Sequence, residues 1–238
     1  MSKPYNFETL KITSPREFVV HVELTRPDKL NAMNRAFWRE CREVFERLAE
    51  DSNCRVIILS GAGRLFTAGL DLTDMGDVLS PSDKDIARNA SKIRPIIANY
   101  QESFTSIEKE VDLGLAADVG TLQRLPKIIR NDSLARELCY TARKFHSDEA
   151  KEIGYVSRIF PDKPSMMDAV LDLASSIANK SPVAVQGTKV SLVYSRDHSV
   201  PEGLQHVALW NQVMGQSEDL IKATEAIMQK KNPNFSKL

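Results

Sequence analysis

Hydrophobic positions alternate with polar ones near the start of the chain and then recur every three or four residues. Residues 17–25 (EFVVHVELT) have an apolar side chain at every second position, which predicts a half-buried strand. Residues 34–50 have apolar side chains three and four positions apart, which predicts a helix with Asn34 as its N-cap. Residues 55–61 (RVIILSG) are a continuous apolar run, typical of a strand buried on both faces. Strand, helix and buried strand in this order predict a parallel α/β arrangement.

Most of the remaining chain has the helical period. A long helix is predicted over 83–108, and Pro95 should bend or interrupt it. Ser147 begins a short helix that ends at Gly154, and residues 155–160 (YVSRIF) follow as a predicted strand. Further helices are predicted in three places, over 164–180, over 182–195 and from Ser199 onward.

Near the end of the chain, four large apolar side chains recur at helical spacing. They are Leu209, Trp210, Val213 and Met214. Such a stripe is explained equally well by packing within the chain and by an interface with another subunit.

Charge and composition exclude several kinds of partner. Lys plus Arg and Asp plus Glu both number 32, so the chain has no net charge that would favour nucleic acid or an anionic membrane surface. No apolar run approaches the ~20 residues that span a bilayer. The three cysteines and four histidines are scattered without ligand spacing, so we expect no metal site.

The two ends of the sequence bear on localisation. The first ten residues (MSKPYNFETL) resemble neither a secretory signal nor an Arg-rich mitochondrial presequence. The last three, Ser236, Lys237 and Leu238, form the peroxisomal address that an import receptor recognises. We therefore expect the protein in the peroxisome.

A glycine-rich loop follows the buried strand. Residues 61–72 contain three glycines and the sequence FTAGLDL, in which small residues allow the backbone to approach a ligand closely. Backbone amides presented in this way can stabilise a developing oxyanion. Many ordinary α/β turns have similar glycines.

A second candidate stretch, residues 110–126, places carboxylates among apolar side chains. Glu110, Asp112 and Asp118 lie between Val, Leu and Ala residues. A carboxylate in apolar surroundings binds its proton more tightly and can transfer protons near neutral pH. The alternative is a solvated loop in which an Asp caps the next helix.

The order of motifs along the chain resembles the enoyl-CoA hydratase/isomerase (crotonase) family. The segments that carry the resemblance are RPDKLNAMN (26–34), SGAGRLFTAGLDL (60–72), EVDLGLAADVGTLQRLP (110–126), ARKFHSDEAKEIGYVSRIFP (142–161), KSPVAVQGTK (180–189) and SEDLIKATEAIMQKKNPNF (217–235). Within the family, hydratases have a Gly at the position of Asp118, whereas dienoyl-CoA isomerases have an Asp. The sequence is therefore most similar to the dienoyl-CoA isomerases.

The resemblance implies a fold and an assembly. The fold would be a crotonase-like α/β core of stacked βαβ units over residues 1–180, followed by a helical oligomerisation region over residues 181–238. Members of the family usually form trimers or hexamers through their C-terminal helices, so we expect a homo-oligomer.

The resemblance also implies a reaction, the conversion of 3,5-dienoyl-CoA to 2,4-dienoyl-CoA in fatty-acid β-oxidation. Glu110 and Asp118 would transfer protons between the two ends of the diene. The backbone N–H of Leu70 would be one of two donors to the thioester oxygen. The residues lining the acyl-CoA site would be Ala68, Gly69, Leu70, Asp71 and Leu72. No metal or redox cofactor is needed, because the substrate itself carries coenzyme A.

The chain departs from the family between Lys109 and Glu110. About forty residues, judged from typical element lengths, are absent where the family has a strand, a Gly-rich turn, a helix and a further strand. That segment normally supplies the second oxyanion amide and a third acidic residue. Losing one oxyanion donor costs on the order of a hundred- to a thousandfold in rate. The absence favours one alternative to the isomerase, an inactive CoA-binding or oligomer-modifying subunit. An enoyl-CoA hydratase is a further alternative.

Overall fold

The computed structural model describes residues 6–74, 86–104 and 121–237. The chain divides into two compact units. The first comprises Met1–Ile12, Val22–Ala49 and Leu59–Met166, and the second comprises Thr13–His21, Glu50–Ile58 and Met167–Leu238. The division at residue 180 and the oligomerisation region beyond it stay predictions. Within the described ranges, no helix is both long and apolar enough to cross a membrane.

Three strands of the described chain form one sheet in the order β1–β2–β3. They are β1 (Leu10–Arg16), β2 (Val19–Leu24) and β3 (Val56–Gly61). β1 and β2 are antiparallel and joined by a two-residue turn, in which Phe18 has a left-handed φ of 58°. β2 and β3 are parallel: the carbonyl of Phe18 accepts from the N–H of Val56, and the carbonyl of Leu24 accepts from the N–H of Ala62. The predicted strands at 17–25 and 55–61 and their parallel arrangement are confirmed.

β1 was not predicted from the sequence. Of its seven residues only Leu10 is buried, so the strand has no apolar alternation that could reveal it. An edge strand with a mostly exposed surface gives a weak pattern of this kind.

The helix α1 (Arg35–Ala49) connects β2 to β3. Asn34 caps it, since its side-chain oxygen accepts a hydrogen bond from the N–H of Phe37 at 2.9 Å, as predicted. Its apolar face is buried, and the indole of Trp38 stacks on the ring of Tyr100 at 4.4 Å. Tyr100 belongs to α2 (Ile86–Phe104), which continues through Pro95 without interruption.

Three further helices of the first unit surround a small apolar cluster. These helices are α3 (Thr121–Ile128), α4 (Asp132–Thr141) and α5 (Ser147–Glu152). Leu125, Ile129 and Leu138 are the buried members of the cluster, and Tyr155 packs against them.

The strand predicted at 155–160 is wrong. The backbone N–H groups of Tyr155 and Val156 both donate to the carbonyl of Ala150, which ends α5 with a compact turn after Gly154, whose φ is 77°. This capping turn uses the amides that a strand would offer to a neighbour. Residues 155–160 (YVSRIF) therefore form the connection between α5 and the next helix.

Four helices belong mainly to the second unit; the first three agree closely with the predicted ones, and the fourth was not predicted as a separate helix. They are α6 (Lys163–Ala178), α7 (Pro182–Arg196), α8 (Val200–Met214) and α9 (Glu218–Met228). Ala174 and Ala178 of α6 pack on Val19 and Ile58 to form the apolar core of this unit. Ser199 begins α8 by exchanging hydrogen bonds with Glu202 in a capping box.

Packing within the chain explains some residues of the apolar stripe on α8, and an interface with another subunit remains the interpretation of the others. Trp210 packs so closely on α7 that a Cβ added to Gly187 would lie 2.7 Å from its indole nitrogen. Leu209 and Val213, in contrast, are 61% and 64% exposed. Packing within the chain therefore explains only part of the stripe.

A buried carboxylate ties the segment before β1 to α1. The side chain of Glu40 accepts hydrogen bonds from the N–H groups of Glu8 and Thr9, both at 2.9 Å, and from the Thr9 hydroxyl at 2.6 Å. Glu40 is 3% exposed, so water cannot replace these partners.

We expect Glu40→Ala to lower the free energy of unfolding by about 2–4 kcal/mol, because it leaves buried donors without an acceptor. Urea denaturation followed by circular dichroism measures this change. Glu46→Ala is the matched control on the same helix; its carboxylate is exposed and pairs with the exposed Arg42, so the expected loss is below ~0.5 kcal/mol. Equal losses in the two variants would contradict the structural role of Glu40.

Candidate active site

The glycine-rich loop leaves β3 and folds back under tight steric limits. A Cβ at Gly61 would lie 2.8 Å from the carbonyl oxygen of Leu65, so only glycine fits where the strand ends. Lys163 donates to the carbonyl of Gly61 at 2.7 Å and lies 3.4 Å from the carboxylate of Glu23. The start of the loop is therefore held by packing and by a charged side chain.

The middle of the loop pairs with the segment that follows β2. Met33 and Leu70 form an isolated parallel β-bridge. The N–H of Met33 donates to the carbonyl of Gly69 at 2.8 Å, and the N–H of Asp71 donates to the carbonyl of Met33 at 3.0 Å. Because successive amides of an extended chain point to opposite sides, the N–H of Leu70 points away from Met33.

The four amides from Ala68 to Asp71 differ in one respect. Ala68 donates to the carbonyl of Leu30 at 2.9 Å, Gly69 to the hydroxyl of Thr67 at 3.1 Å, and Asp71 to Met33. The N–H of Leu70 donates to no acceptor in the described part of the chain. Three of these four amides are thus fixed by the protein, and the fourth could donate to a ligand, as an oxyanion site requires.

Gly69 determines where the Leu70 amide points. Its φ is 93°, which a residue with a Cβ adopts only under strain. Gly69 is buried and Leu70 half-buried, whereas Ala68 and Leu72 are exposed. The amide of Leu70 therefore lies between a buried and an accessible side of the loop.

Asp71 faces the protein rather than solvent. It is 8% exposed, its carboxylate accepts from the hydroxyl of Thr73 at 2.6 Å, and it forms an ion pair with Arg26 at 2.9 Å. The hydrogen bonds from Thr73 and Arg26 hold the pKa of Asp71 below its usual range. Asp71 is consequently a fixed anion that anchors the loop, and it is poorly suited to transfer protons.

Sequence reasoning missed the side chains that support this loop. Asn31 and Arg26 lie in the RPDKLNAMN segment and reach the loop across more than thirty residues of sequence. Leu30 and Asn31 both have left-handed φ values, 51° and 54°. An Asn is common in that conformation, but the sequence alone does not identify the carbonyls to which it donates.

The predicted catalytic pair, Glu110 and Asp118, lies outside the described residues. Of the predicted site residues the structure describes Ala68–Leu72, and their role in binding stays a prediction. Among the described residues, no group of three or more His, Cys, Asp or Glu side chains could hold a metal ion. Cys54 is not a reactive thiol, because burial raises its pKa to about 11.

Several known proteins with a similar sequence are named dienoyl-CoA isomerases. The dienoyl-CoA isomerase of rat, "Delta(3,5)-Delta(2,4)-dienoyl-CoA isomerase, mitochondrial", is 48% identical over 98% of this chain and 84% of its own length. The Arabidopsis thaliana protein of the same name, designated peroxisomal, is 36% identical over 98% of this chain and 99% of its own.

The alignments also bear on the missing segment. The alignment with the rat protein extends over 276 residues, which exceeds the 238 residues of this chain. The relative therefore has stretches for which this chain has no counterpart. This agrees with the absence of about forty residues inferred from the sequence.

The fold and the family follow from two further comparisons. The crystal structure of an enoyl-CoA hydratase from Bacillus anthracis superimposes with a TM-score of 0.83 over 96% of this chain and 99% of that chain, at 21% identity, which shows a common fold. The family model described as enoyl-CoA hydratase/isomerase matches residues 15–94 and 95–237. This chain belongs to the enoyl-CoA hydratase/isomerase family and has its crotonase-like α/β fold.

Proposed function

We propose that this protein is an isomerase that converts 3,5-dienoyl-CoA thioesters to 2,4-dienoyl-CoA in fatty-acid β-oxidation. The observation that carries the proposal is the N–H of Leu70, which has no acceptor among the described residues, while the amides of Ala68, Gly69 and Asp71 are all bonded to the protein. The names of relatives up to 48% identical support the substrate class.

The chemistry requires an oxyanion donor and two proton carriers. Removing a proton from the carbon beside a thioester places negative charge on the carbonyl oxygen, and the N–H of Leu70 would stabilise that charge. One of Glu110 and Asp118 would take this proton, and the other would give a proton to the far end of the diene. The double bonds then shift by one position with no net change in protons, so no redox cofactor or metal is needed.

The missing segment sets an upper limit on the rate. A single oxyanion donor stabilises the enolate less than two, and one lost donor costs about 10²–10³-fold in turnover. The same absence supports a second candidate function, a CoA-binding subunit without catalysis. An enoyl-CoA hydratase is the third candidate; Asp118, where hydratases have Gly, argues against it.

We expect the purified chain to convert a 3,5-dienoyl-CoA at about 10²–10³-fold below the rat relative. Glu110→Gln and Asp118→Asn should each remove the remaining turnover, measured by the absorbance of the conjugated product. Asp112→Asn is the matched control, since it lies in the same stretch but outside the proposed pair. Turnover equal to that of the rat protein would contradict the predicted impairment, and 3-hydroxyacyl-CoA as the product would favour the hydratase.

The exposed apolar surface of the last three helices supports a homo-oligomer, a trimer or hexamer. Large apolar side chains of α7, α8 and α9 are more than half exposed, namely Leu192, Val200, Leu204, Leu209, Val213, Leu220, Ile221, Ile227 and Met228. Large apolar side chains exposed in such number are costly in water and are typical of a subunit interface.

We expect Leu209→Glu with Val213→Glu to convert the oligomer to monomer without unfolding it, as measured by light scattering after size exclusion. A carboxylate at the centre of an apolar interface loses its hydration when subunits associate. Tyr140→Glu, at a 77% exposed position of α4, should leave the mass unchanged. A monomeric wild type would contradict the proposed assembly.

We further propose that the protein resides in the peroxisome and is recognised by the import receptor through Ser236, Lys237 and Leu238. The Arabidopsis relative is named peroxisomal, whereas the rat relative is named mitochondrial. Ser236 contacts Glu218 at 2.7 Å and Lys222 at 2.9 Å, so a receptor must displace these contacts to engage its side chain.

A fluorescent protein fused to the N-terminus should co-localise with a peroxisomal marker in cells. Deleting the last three residues should make the fluorescence diffuse, because the receptor recognises that tripeptide. Substituting Lys231 with Ala serves as the control, since it changes a charge near the tail without altering the tripeptide. Fluorescence at mitochondria, or unchanged peroxisomal fluorescence after the deletion, would contradict the proposal.

A further inference from the structure

We infer that Asn31 is a positioning residue that sets the orientation of the Leu70 amide, with the Arg26–Asp71 ion pair as a second anchor on the far side of Leu70. This inference rests on the proposed function, since it assumes that the Leu70 amide binds a thioester oxygen. It assigns a role to side chains that do not touch the substrate.

Both polar atoms of the Asn31 side chain form hydrogen bonds within the protein. It is 3% exposed. Its Nδ2 donates to the carbonyls of Ala62 at 2.7 Å and Leu65 at 3.0 Å, and its Oδ1 accepts from the N–H of Arg26 at 3.0 Å. Two loop carbonyls thus depend on one amide group that solvent cannot replace.

A short series of bonds leads from Asn31 to the peptide that carries the Leu70 N–H. The hydroxyl of Thr67 donates to the backbone carbonyl of Asn31 at 2.7 Å. The same hydroxyl accepts from the N–H of Gly69 at 3.1 Å. Gly69 also provides the carbonyl of the Gly69–Leu70 peptide, and this carbonyl accepts from the N–H of Met33. Displacement of Asn31 would therefore rotate that peptide plane and its N–H.

The residue after Leu70 is fixed independently. Arg26 donates to the carboxylate of Asp71 at 2.9 Å and also to the carbonyl of Ala32. These side chains are 21% and 9% exposed, so solvent weakens the ion pair only partly. Leu70 consequently lies between two anchors, both of which originate in the 26–32 segment.

Precise placement matters because the contribution of an oxyanion donor depends steeply on geometry. A displacement of about 1 Å can cost on the order of 10²-fold in rate. A positioning residue of this kind should affect kcat and the polarisation of the bound carbonyl more than it affects binding of the CoA portion.

The test uses the full chain and the product, a 2,4-dienoyl-CoA labelled with ¹³C at the thioester carbonyl. Infrared difference spectra report the hydrogen bond that this carbonyl accepts, because the bond lowers its stretching frequency. Asn31→Gly tolerates the left-handed φ and removes the side chain, whose bonds to Ala62 and Leu65 hold in place the backbone carbonyl that Thr67 contacts. Thr67→Val breaks the same series of bonds without changing Asn31, which keeps the test decisive if Asn31→Gly does not fold. Asn34→Gly, which removes only the cap of α1, is the matched control.

We expect the wild type and Asn34→Gly to lower the carbonyl frequency of the bound product, and Asn31→Gly and Thr67→Val to lose most of that shift. Turnover should fall about 10- to 100-fold in these two variants, with KM changed less than about threefold. If folded Asn31→Gly or Thr67→Val kept the wild-type shift, the positioning role would be refuted while the proposed function stood. If the wild-type protein bound the product without any shift, the oxyanion role of Leu70 would fail, and this inference with it.

Discussion

The pairing of the segment after β2 with the loop after β3 is the contact on which the candidate site depends. Because the two strands are parallel, both segments leave the same edge of the sheet. Apart from a short 3-10 helix at Pro27–Lys29, the described parts of these segments have no regular structure that could satisfy their own backbone. The Met33–Leu70 bridge and the side chain of Asn31 supply the missing hydrogen bonds. A buried irregular backbone is stable only with such partners.

This constraint also explains why, among the amides from Ala68 to Asp71, that of Leu70 has no acceptor in the described part of the chain. Extended backbone alternates its donors, so the bridge that fixes Gly69 and Asp71 necessarily turns Leu70 to the opposite side. The loop is preorganised before any ligand arrives, and a donor that need not reorganise is the most effective kind. If the loop is the proposed oxyanion site, it would stabilise an enolate oxygen with one donor, and the effect on rate would be smaller than with two.

Much of the fold was predictable from local patterns, but the supports of the site were not. Asn34 and the spacing of α1 predicted that helix closely, and the apolar run at 55–61 predicted β3. β1 was not predicted because only Leu10 is buried. The strand predicted at 155–160 was wrong because the amides of Tyr155 and Val156 cap the preceding helix. Arg26 and Asn31 act on partners 31 to 45 positions away, and no local pattern encodes such distances. Glu110 and Asp118 came from the family resemblance and stay predictions.

The availability of the Leu70 amide can be measured directly by NMR. Labelling with ¹³C-carbonyl glycine and ¹⁵N-leucine selects the three Gly-Leu pairs of the sequence, Gly69-Leu70, Gly114-Leu115 and Gly203-Leu204. On addition of a 2,4-dienoyl-CoA, the Leu70 proton should shift strongly downfield as it donates to the thioester oxygen, while that of Leu204 on α8 stays unchanged. A Leu70 resonance that does not move at saturating ligand would contradict the role of this amide in the site.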